Sequence, residues 1–526
     1  MKLYSKSLFL LFVIIVISCN KAKKETIILK KPVKKEVAEL KIVIDSNAIS
    51  NFYQAYPKLA SYQAEVFKLY KKQGSKQLWL DSKGVVEFGN TLFNKYQGLP
   101  DEGLKANFPY NSLINQIFER SSDKELSKID SDLMITNLYF YYAAKVYQGM
   151  DEKTSTSLEW LLPRKKLNYQ MFSDSIFKNS AINDEGKNKM FSQYYKLKEV
   201  LNKYRKIEAE GGWKNIVVDE GFKSFKEGDS ADAIKQIRDR LCITGELKEN
   251  NQSPICDSVL MAAVKDYQIH HANTVKNSIL PIHIAEMNVP VSDRIKTIIV
   301  NMERCRWIDP KLEKDKEYLG VNIPEFKLYM IRDGKVCFVS PVVVGKTMRR
   351  TVIFSGMMQY IVFSPYWNVP QSIINQEIKP GMAKDRNYLA KKNLEWNKGQ
   401  VRQLPGLNNS LGLVKFLFPN SNNIYLHDTP AKSLFERDSR AFSHGCVRVG
   451  KPRDLAIELL KDDPKWTPER IDKAMHARKE SWYTLKKKVP VYIGYFTAWV
   501  DRSGQLNFYN DIYQRDESLL KLLTEE

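Results

Sequence analysis

Cysteine and histidine are both scarce in this chain, at six residues each among 526. No two cysteines stand in a CxxC spacing, so the sequence shows no ordinary structural zinc site. No basic segment is interleaved with aromatic residues, which argues against nucleic acid as a partner despite a net charge of +21. The lysines are spread along the whole chain, a pattern typical of a solvated surface and also compatible with attraction to an anionic envelope polymer or lipid surface.

The amino terminus indicates export. Residues 8–17 form an apolar run that is too short to span a bilayer as a mature helix, and Lys2 and Lys6 precede it, so the segment reads as a signal peptide. The run ends at residues 16–19, Val-Ile-Ser-Cys, which resemble the lipobox of bacterial lipoproteins. In such proteins the cysteine, here Cys19, is lipidated and becomes the new amino terminus. An ordinary signal peptide with a coincidental cysteine is the alternative.

The resemblance to lipoproteins also implies a location. Because Asn20 rather than aspartate follows Cys19, we expect a periplasmic protein anchored by its lipid to the inner leaflet of the outer membrane. Residues 20–46 are rich in lysine with few packing residues, and we predict a tether there. An oxidising compartment permits a disulfide between Cys242 and Cys256, although buried free thiols fit equally well. Cys305 and Cys337 could be core residues.

Apolar patterning divides the rest of the chain into three parts. Residues 47–225 are helical and aromatic-rich and are predicted to be a scaffold domain, clearest over 130–150. Residues 226–311 predict a small bundle of three amphipathic helices, the first capped by Ser230 and the third carrying the apolar residues of 295–302. From residue 312 to 526 the pattern favours strands. The predicted fold class is therefore α+β and multidomain, with a mainly β, sandwich-like carboxy-terminal domain that carries helical inserts.

Several elements of this last domain can be predicted individually. An Asp-Gly pair at 333–334 indicates a hairpin between strands 327–331 and 336–344. Further elements are predicted as strands at 351–354, 359–363, 423–426, 489–500 and 505–509, and as helices at 452–461 and 466–480, the second capped by Thr467.

One short window holds two of the six histidines and a cysteine. Cys446 follows His427 by 19 residues (446 − 427) and His444 by two. A free thiol is mostly protonated at neutral pH and needs a base to become a nucleophile. His427, at the end of a predicted strand, is the better base candidate, because only Gly445 separates His444 from the cysteine. A cysteine that is buried filler, with histidines satisfied in a core, is the alternative, and a zinc site from these three residues lacks a fourth ligand.

Neighbouring residues fit the same chemistry. Gly445 permits a tight turn that brings backbone N–H groups toward a substrate carbonyl. Asp428, or a nearby backbone carbonyl, could fix the tautomer of His427. Arg448 could bind a substrate carboxylate or brace the loop.

These residues also carry a family resemblance. His427 and the segment 443–448, Ser-His-Gly-Cys-Val-Arg, resemble the signature of L,D-transpeptidases with a YkuD catalytic domain. Residues 365–373 and 401–418 look like the large YcbB-like branch of that family. The bundle at 226–311 is similar to the peptidoglycan-binding module of this branch, but His270 to Lys276 stand where its usual Asp-Gly loop would be.

The resemblance implies a peptidoglycan L,D-transpeptidase that forms 3→3 cross-links through a thioester on Cys446, with release of D-Ala from a tetrapeptide donor. It implies His427 as the base and His444 as an oxyanion aid, and it places a cap at residues 374–422. The other implied site residues are Gly445, Ser443 and Asp428 in the oxyanion loop and Arg448, Tyr425, Trp367 and Asn368 at the substrate. No metal or organic cofactor is expected. We predict a monomer whose partners are peptidoglycan stem peptides and, through its lipid, a membrane.

Three other readings share these observations. An L,D-carboxypeptidase would use the same residues with water as acceptor. A lipid-tethered, wall-binding protein without catalysis is the non-enzymatic reading, which the intact His427, His444 and Cys446 disfavour. A papain-like protease is disfavoured by chain order, because such enzymes place the cysteine before the histidine.

Overall fold

The structure is a computed structural model, and it describes residues 42–119, 126–166, 169 and 190–525. The predicted signal peptide, the lipidation of Cys19 and nearly all of the tether lie outside these residues. From Val43 onward the chain forms one unit. The predicted tether at 20–46 is wrong at its end, because Ile44 is fully buried and a helix begins at Ser46. Among the described residues, no helix has the length and apolarity to cross a membrane.

The amino-terminal part is helical, as predicted, around the buried helix α5. Its elements are α1 Ser46–Ala55, α2 Gln63–Lys72, strands β1 Leu80–Asp81 and β2 Gly84–Val85, α3 Glu87–Gln97, α4 Asn111–Glu119, α5 Lys128–Ala143, a π-helical turn at Ala144–Gln148, and α6 Glu152–Ser157. Ser127 accepts the Asp130 N–H and so caps α5. Buried side chains from Ile44 to Val146 form one core.

The predicted scaffold, 47–225, is divided among three cores, and Ile216 near its end belongs to the core of the following bundle. Strand β3, Trp160–Leu161, and helix α7, Ser192–Ala209, pack into the core of the carboxy-terminal domain. Strand β3 pairs in parallel with the start of a strand of that domain, Trp160 opposite Ile353. A two-residue strand in a helical region leaves no periodic pattern, so the sequence did not predict it.

The small bundle exists, but its third helix is not the predicted one. Helices α8 Asp232–Thr244, α9 Ser258–His270 and α10 Pro281–Met287 share a core of their own. The apolar residues of 295–302 lie on α11, Val291–Trp307, which packs into the main core instead. The predicted cap at Ser230 is wrong, because Ala231 precedes α8 and caps nothing with its side chain.

The remaining cysteines are only partly as predicted. Cys242 and Cys256 are both free thiols, the second buried. Cys305 is a core residue, whereas Cys337, the other core candidate, is exposed on a strand.

Strands dominate the carboxy-terminal domain. They are β4 Glu317–Asn322, β5 Lys327–Arg332, β6 Lys335–Gly345, β7 Ile353–Phe363, β8 Trp367–Asn368, β9 Leu394–Asn397, β10 Gln400–Gln403, β11 Val414–Leu417, β12 Leu426–His427, β13 Ala441–Ser443, β14 Val447–Val449, β15 Ser481–Gly494, β16 Ala498–Val500 and β17 Leu506–Phe508. The helical inserts are α12 Gln371–Ile373, a π-helical turn at Ile374–Ile378, α13 Lys379–Lys384, α14 Tyr388–Lys391, α15 Pro452–Leu460, α16 Pro468–Met475 and α17 Asp516–Glu525.

Eight of these strands pair in a closed circuit. The order is β11-β12-β14-β6-β5-β4-β15-β7, and β7 pairs again with β11. The mainly β prediction is confirmed, and closure of the circuit refines the sandwich-like expectation. The Asp-Gly hairpin is confirmed between β5 and β6. The segment predicted as one strand at 489–500 is divided between β15 and β16, and β16 pairs with β17 as a hairpin.

Some predicted boundaries change. The two strands predicted at 351–354 and 359–363 are one strand, β7, because its pairing with β15 continues across Gly356. Thr467 caps α16 as predicted, but that helix ends at Met475, before Glu480.

A separate subdomain, the cap, spans residues 367–403. Strands β8, β10 and β9 form its sheet, and its small core consists of Val369, Ile373, Ile374, Ile378, Leu394 and Val401. The chain then returns to the main circuit as β11. The predicted cap, 374–422, therefore starts too late and ends too late.

Candidate active site

Two adjacent strands bring four of the predicted residues to one face of the sheet. Strands β12 and β14 run in parallel, with Leu426 opposite Val447 and His427 opposite Arg448. Leu426 and Val447 are fully buried in the main core. Because side chains alternate between faces, Tyr425, His427, Cys446 and Arg448 project from the opposite face.

The imidazole of His427 is oriented by a backbone carbonyl. Its Nδ1 lies 2.5 Å from the carbonyl oxygen of Asp428. A carbonyl can only accept, so Nδ1 carries the proton and Nε2 keeps its lone pair. The Asp428 carboxylate is used elsewhere, accepting the N–H groups of Leu413 at 2.8 Å and Thr429 at 2.7 Å. Of the two predicted ways to hold the tautomer, the structure has the backbone carbonyl.

The surroundings keep His427 neutral. Burial lowers the pKa of His427 to about 3, and the positive charges of Arg448 and Lys415 act in the same direction. Lys415 lies on β11 directly opposite His427. The sequence analysis gave Lys415 no role, because only the register between β11 and β12 brings the two side chains together. A neutral imidazole with a free Nε2 is the form that a general base requires.

The thiol of Cys446 is also neutral at rest. It donates to the carbonyl oxygen of Asn423 at a sulfur–oxygen distance of 3.7 Å, and Tyr425 hydrogen-bonds to it. Burial raises the pKa of Cys446, an effect that Tyr425 and Arg448 partly offset. Within the described part of the chain no hydrogen bond joins Cys446 to His427, so the thiol must turn away from Asn423 to reach the base. Catalytic hydrogen bonds are often loose before substrate binds.

The loop before Cys446 is held by Ser443. The buried Ser443 hydroxyl donates to the carbonyl of Cys446 at 2.6 Å and accepts the N–H of Gly445 at 3.1 Å. Gly445 has φ of +118°, a conformation that only glycine adopts readily. The Gly445 N–H is thus engaged inside the loop, whereas the Cys446 N–H has no acceptor among the described residues.

His444 is exposed and meets the cap. Its Nε2 lies 3.3 Å from Glu377 Oε1, on the π-helical turn Ile374–Ile378. Burial and Arg349 lower the pKa of His444, and Glu377 opposes them. The sequence gave no signal for Glu377, since an exposed glutamate in a helical insert is ordinary.

The remaining predicted substrate residues lie around this site. Trp367, on β8, hydrogen-bonds to Tyr425, whose own hydroxyl contacts Cys446. Tyr425 also packs edge-on against His427, with ring centroids 5.6 Å apart. Asn368 is exposed and pairs through its backbone with Arg402 of the cap. Arg448 is half-buried, and its Nε has no hydrogen-bond partner in the described part of the chain.

No group of three or more histidine, cysteine, aspartate or glutamate side chains within the described ranges could hold a metal ion. His427, His444 and Cys446 thus do not come together as a group of three possible ligands within those ranges.

Comparison with known proteins gives two domain matches. Residues 316–475 match the family model of the L,D-transpeptidase catalytic domain, YkuD. Residues 64–201 match a model described as a scaffold domain. The first match contains every site residue discussed above and supports assignment of this region to the YkuD catalytic domain family.

A "Putative L,D-transpeptidase" of Haemophilus influenzae is 37% identical over 249 residues, which is 43% of this chain and 50% of that protein. The chain thus spans half the length of this curated relative. Among solved structures, L,D-transpeptidases from Mycobacterium smegmatis and Stackebrandtia nassauensis are similar. The first is 12% identical over 34% of this chain and 58% of its own, with a TM-score of 0.20. The second is 13% identical over 52% of this chain and 97% of its own, with a TM-score of 0.22.

Proposed function

We propose that this protein is a peptidoglycan L,D-transpeptidase that forms 3→3 cross-links through a thioester on Cys446. The observation that carries the proposal is the shared face of Cys446 and His427, with His427 Nδ1 committed to the Asp428 carbonyl. This leaves Nε2 as the proton acceptor beside a thiol, the arrangement needed for nucleophilic acyl transfer. The family match over 316–475 supports the same reaction class.

The first half-reaction is acylation. Cys446 sulfur attacks the carbonyl at the L-centre of the third stem residue while its proton passes to His427 Nε2. The resulting oxyanion takes a hydrogen bond from the Cys446 N–H. When the intermediate collapses, the carbon–nitrogen bond breaks and D-Ala leaves with the proton from His427. A thioester remains on Cys446.

The second half-reaction returns the thiol. The amine of a neighbouring stem peptide attacks the thioester and gives its proton to His427. The carbon–sulfur bond then breaks, and the sulfur recovers the proton. Because both groups start and finish neutral, the pair acts by general base and acid catalysis rather than as a preformed thiolate–imidazolium pair.

The positions of the other residues support their proposed roles. Arg448 lies on the same face as the thiol, where its cation can bind a donor carboxylate. Trp367 of the cap hydrogen-bonds to Tyr425, and Tyr425 contacts the thiol, so the two aromatic side chains link the cap to the nucleophile. Lipid anchoring through Cys19, with the body in the periplasm, belongs to the same proposal, because the substrate is there.

Product analysis tests the function. The full chain is incubated with purified tetrapeptide muropeptide, and products are separated and identified by mass. We expect dimers that lack one D-Ala from the wild type and from Cys337→Ala, a control at an exposed cysteine outside the site. Cys446→Ala should give none. Formation of tripeptide without dimers would identify the protein as an L,D-carboxypeptidase instead of a transpeptidase. If folded wild type converts no muropeptide, both functions are refuted.

A further inference from the structure

A buried hydrogen-bond relay lies beneath the catalytic loop, on residues that no motif singled out. Thr351, in the turn before β7, donates its hydroxyl to the carbonyl of Gly445 at 2.8 Å. The same hydroxyl accepts the N–H of Gly345 at 2.9 Å. Both hydrogen-bonding functions of Thr351 are therefore occupied, and its side chain is fully buried.

Tyr513, from the carboxy-terminal segment, supports this threonine from behind. Its hydroxyl accepts the Thr351 N–H at 3.1 Å and donates to the Gly345 carbonyl at 2.5 Å. Its own N–H donates to the Tyr495 hydroxyl at 2.9 Å. Both tyrosines are fully buried and their rings stack. Thr351 thus has little freedom to move.

The consequence for the loop follows from peptide geometry. The Gly445–Cys446 peptide is trans, so its C=O and N–H point in opposite directions. Because Thr351 holds the carbonyl on the buried side, the Cys446 N–H is turned to the other side, where it has no acceptor among the described residues. Ser443 holds the next carbonyl, that of Cys446, at 2.6 Å. Two hydroxyls therefore fix the carbonyls on either side of one N–H.

We propose that Thr351, supported by Tyr513, is a positioning residue that aims the Cys446 N–H at the substrate oxyanion. The inference rests on the proposed acyl-transfer function and deepens it. Oxyanion donors act because they are already oriented when charge develops. A glycine at 445 with φ of +118° would otherwise leave this peptide free to rotate. Thr351 touches no reacting atom and acts only through the Gly445 carbonyl.

The test compares two reactions of the same thiol. Acylation of Cys446 by p-nitrophenyl acetate passes through a tetrahedral oxyanion, whereas alkylation by iodoacetamide does not. Both adducts are quantified on the Cys446 peptide of the full chain by mass spectrometry. Removal of an oxyanion donor costs about 10²–10³ in rate, so we expect misorientation in Thr351→Val to slow acylation by roughly 10- to 100-fold. Alkylation should be unchanged.

Three variants separate positioning from stability. Thr351→Ser keeps the hydroxyl and should recover most of the acylation rate. Tyr513→Phe removes the support and should slow acylation less than Thr351→Val, and it replaces that variant if Thr351→Val does not fold. Thr136→Val is the matched control, a buried hydrogen-bonded threonine of the helical region, and should leave both rates unchanged.

The outcomes are distinct. Equal slowing of both reactions in Thr351→Val would show a merely structural role and overturn the inference. Acylation of Thr351→Val at the wild-type rate would also overturn it. A selective loss in an enzyme that does not process muropeptide would sustain the positioning role and refute the proposed function. If the wild type turns over muropeptide but Thr351→Val keeps the wild-type rate of ester acylation, only the positioning role is refuted.

Discussion

The closed circuit of strands and the cap differ in how much core supports them. Strand β12, which carries His427, and strand β14, which begins directly after Cys446, are backed by Leu426 and Val447, both fully buried in the large core shared with α7 and α11. The cap rests on six buried side chains of its own. Nucleophile and base therefore stand on the element with the large core, while the element with the small core contacts the site through Glu377 and Trp367. We infer that thiol chemistry depends on the circuit and that donor binding depends on the cap.

The largest effect should come from removing the base on the circuit. His427→Gln lacks the Nε2 lone pair, so acylation of Cys446 by p-nitrophenyl acetate should slow by about 10²–10⁴-fold. His476→Gln, at an exposed histidine outside the site, is the control and should react like the wild type. A loss below about tenfold would mean that His427 is not the general base.

The pH profile of the same reaction tests the electrostatics of the circuit. A base works when unprotonated, that is, above its pKa, and burial lowers the pKa of His427 to about 3. Acylation per thiol should therefore keep its general-base contribution down to about pH 4. A histidine with an ordinary pKa of about 6.5 would lose roughly 30-fold by pH 5. A fall in rate with a midpoint near pH 6.5 would contradict a lowered pKa for His427.

Matched truncations compare the two cores directly. Leu426→Ala and Ile374→Ala each remove a buried aliphatic side chain, a change that costs about 2–5 kcal/mol in a packed core. Leu426→Ala should lower the midpoint of global unfolding. Ile374→Ala should instead increase amide hydrogen exchange within 367–403, leave ester acylation intact and raise the KM for the tetrapeptide donor. If both variants lower the global midpoint equally, the cap is not a separate stability unit.

The contact between the two regions should matter least. Glu377 and His444 are both substantially exposed, and such pairs contribute about 0–1 kcal/mol. Because the Glu377 carboxylate raises the pKa of His444, Glu377→Gln should lower that pKa further, as measured by NMR titration. Unfolding should be nearly unchanged. An unshifted His444 pKa would show that the cap does not rest on the loop in solution.

The sequence could predict features that depend on neighbouring residues, but not those that depend on pairing between distant segments. The hairpin at Asp333-Gly334 depends on a short-range pattern, and the structure contains it. Cys446 and His427 were also paired on a short-range pattern, and the structure places them beside two adjacent strands. Closure of the circuit through β7 and β11 depends on pairing between segments about fifty residues apart, which no local pattern encodes. Helix α11 has the amphipathic pattern of a bundle helix, but periodicity does not say which core receives it.

Thr351 shows the same limit inside the site. It lies 94 residues from Gly445 in sequence, and a lone threonine before a strand carries no signal of its own. Lys415 and Glu377 were missed for the same reason, since only strand register or the position of the cap brings them to the histidines. The loop residues themselves were predicted because the chemistry is concentrated between 443 and 448.

The most direct test of the account is to locate the acyl group. The full chain is mixed with tetrapeptide donor, quenched in acid within the first turnover, digested and mapped by tandem mass spectrometry. We predict a tripeptide-derived thioester on Cys446 alone, in the wild type and in Cys337→Ala, and none in Cys446→Ala. An acyl group on another residue, or cross-linked product from Cys446→Ala, would contradict the assignment of Cys446 as the nucleophile.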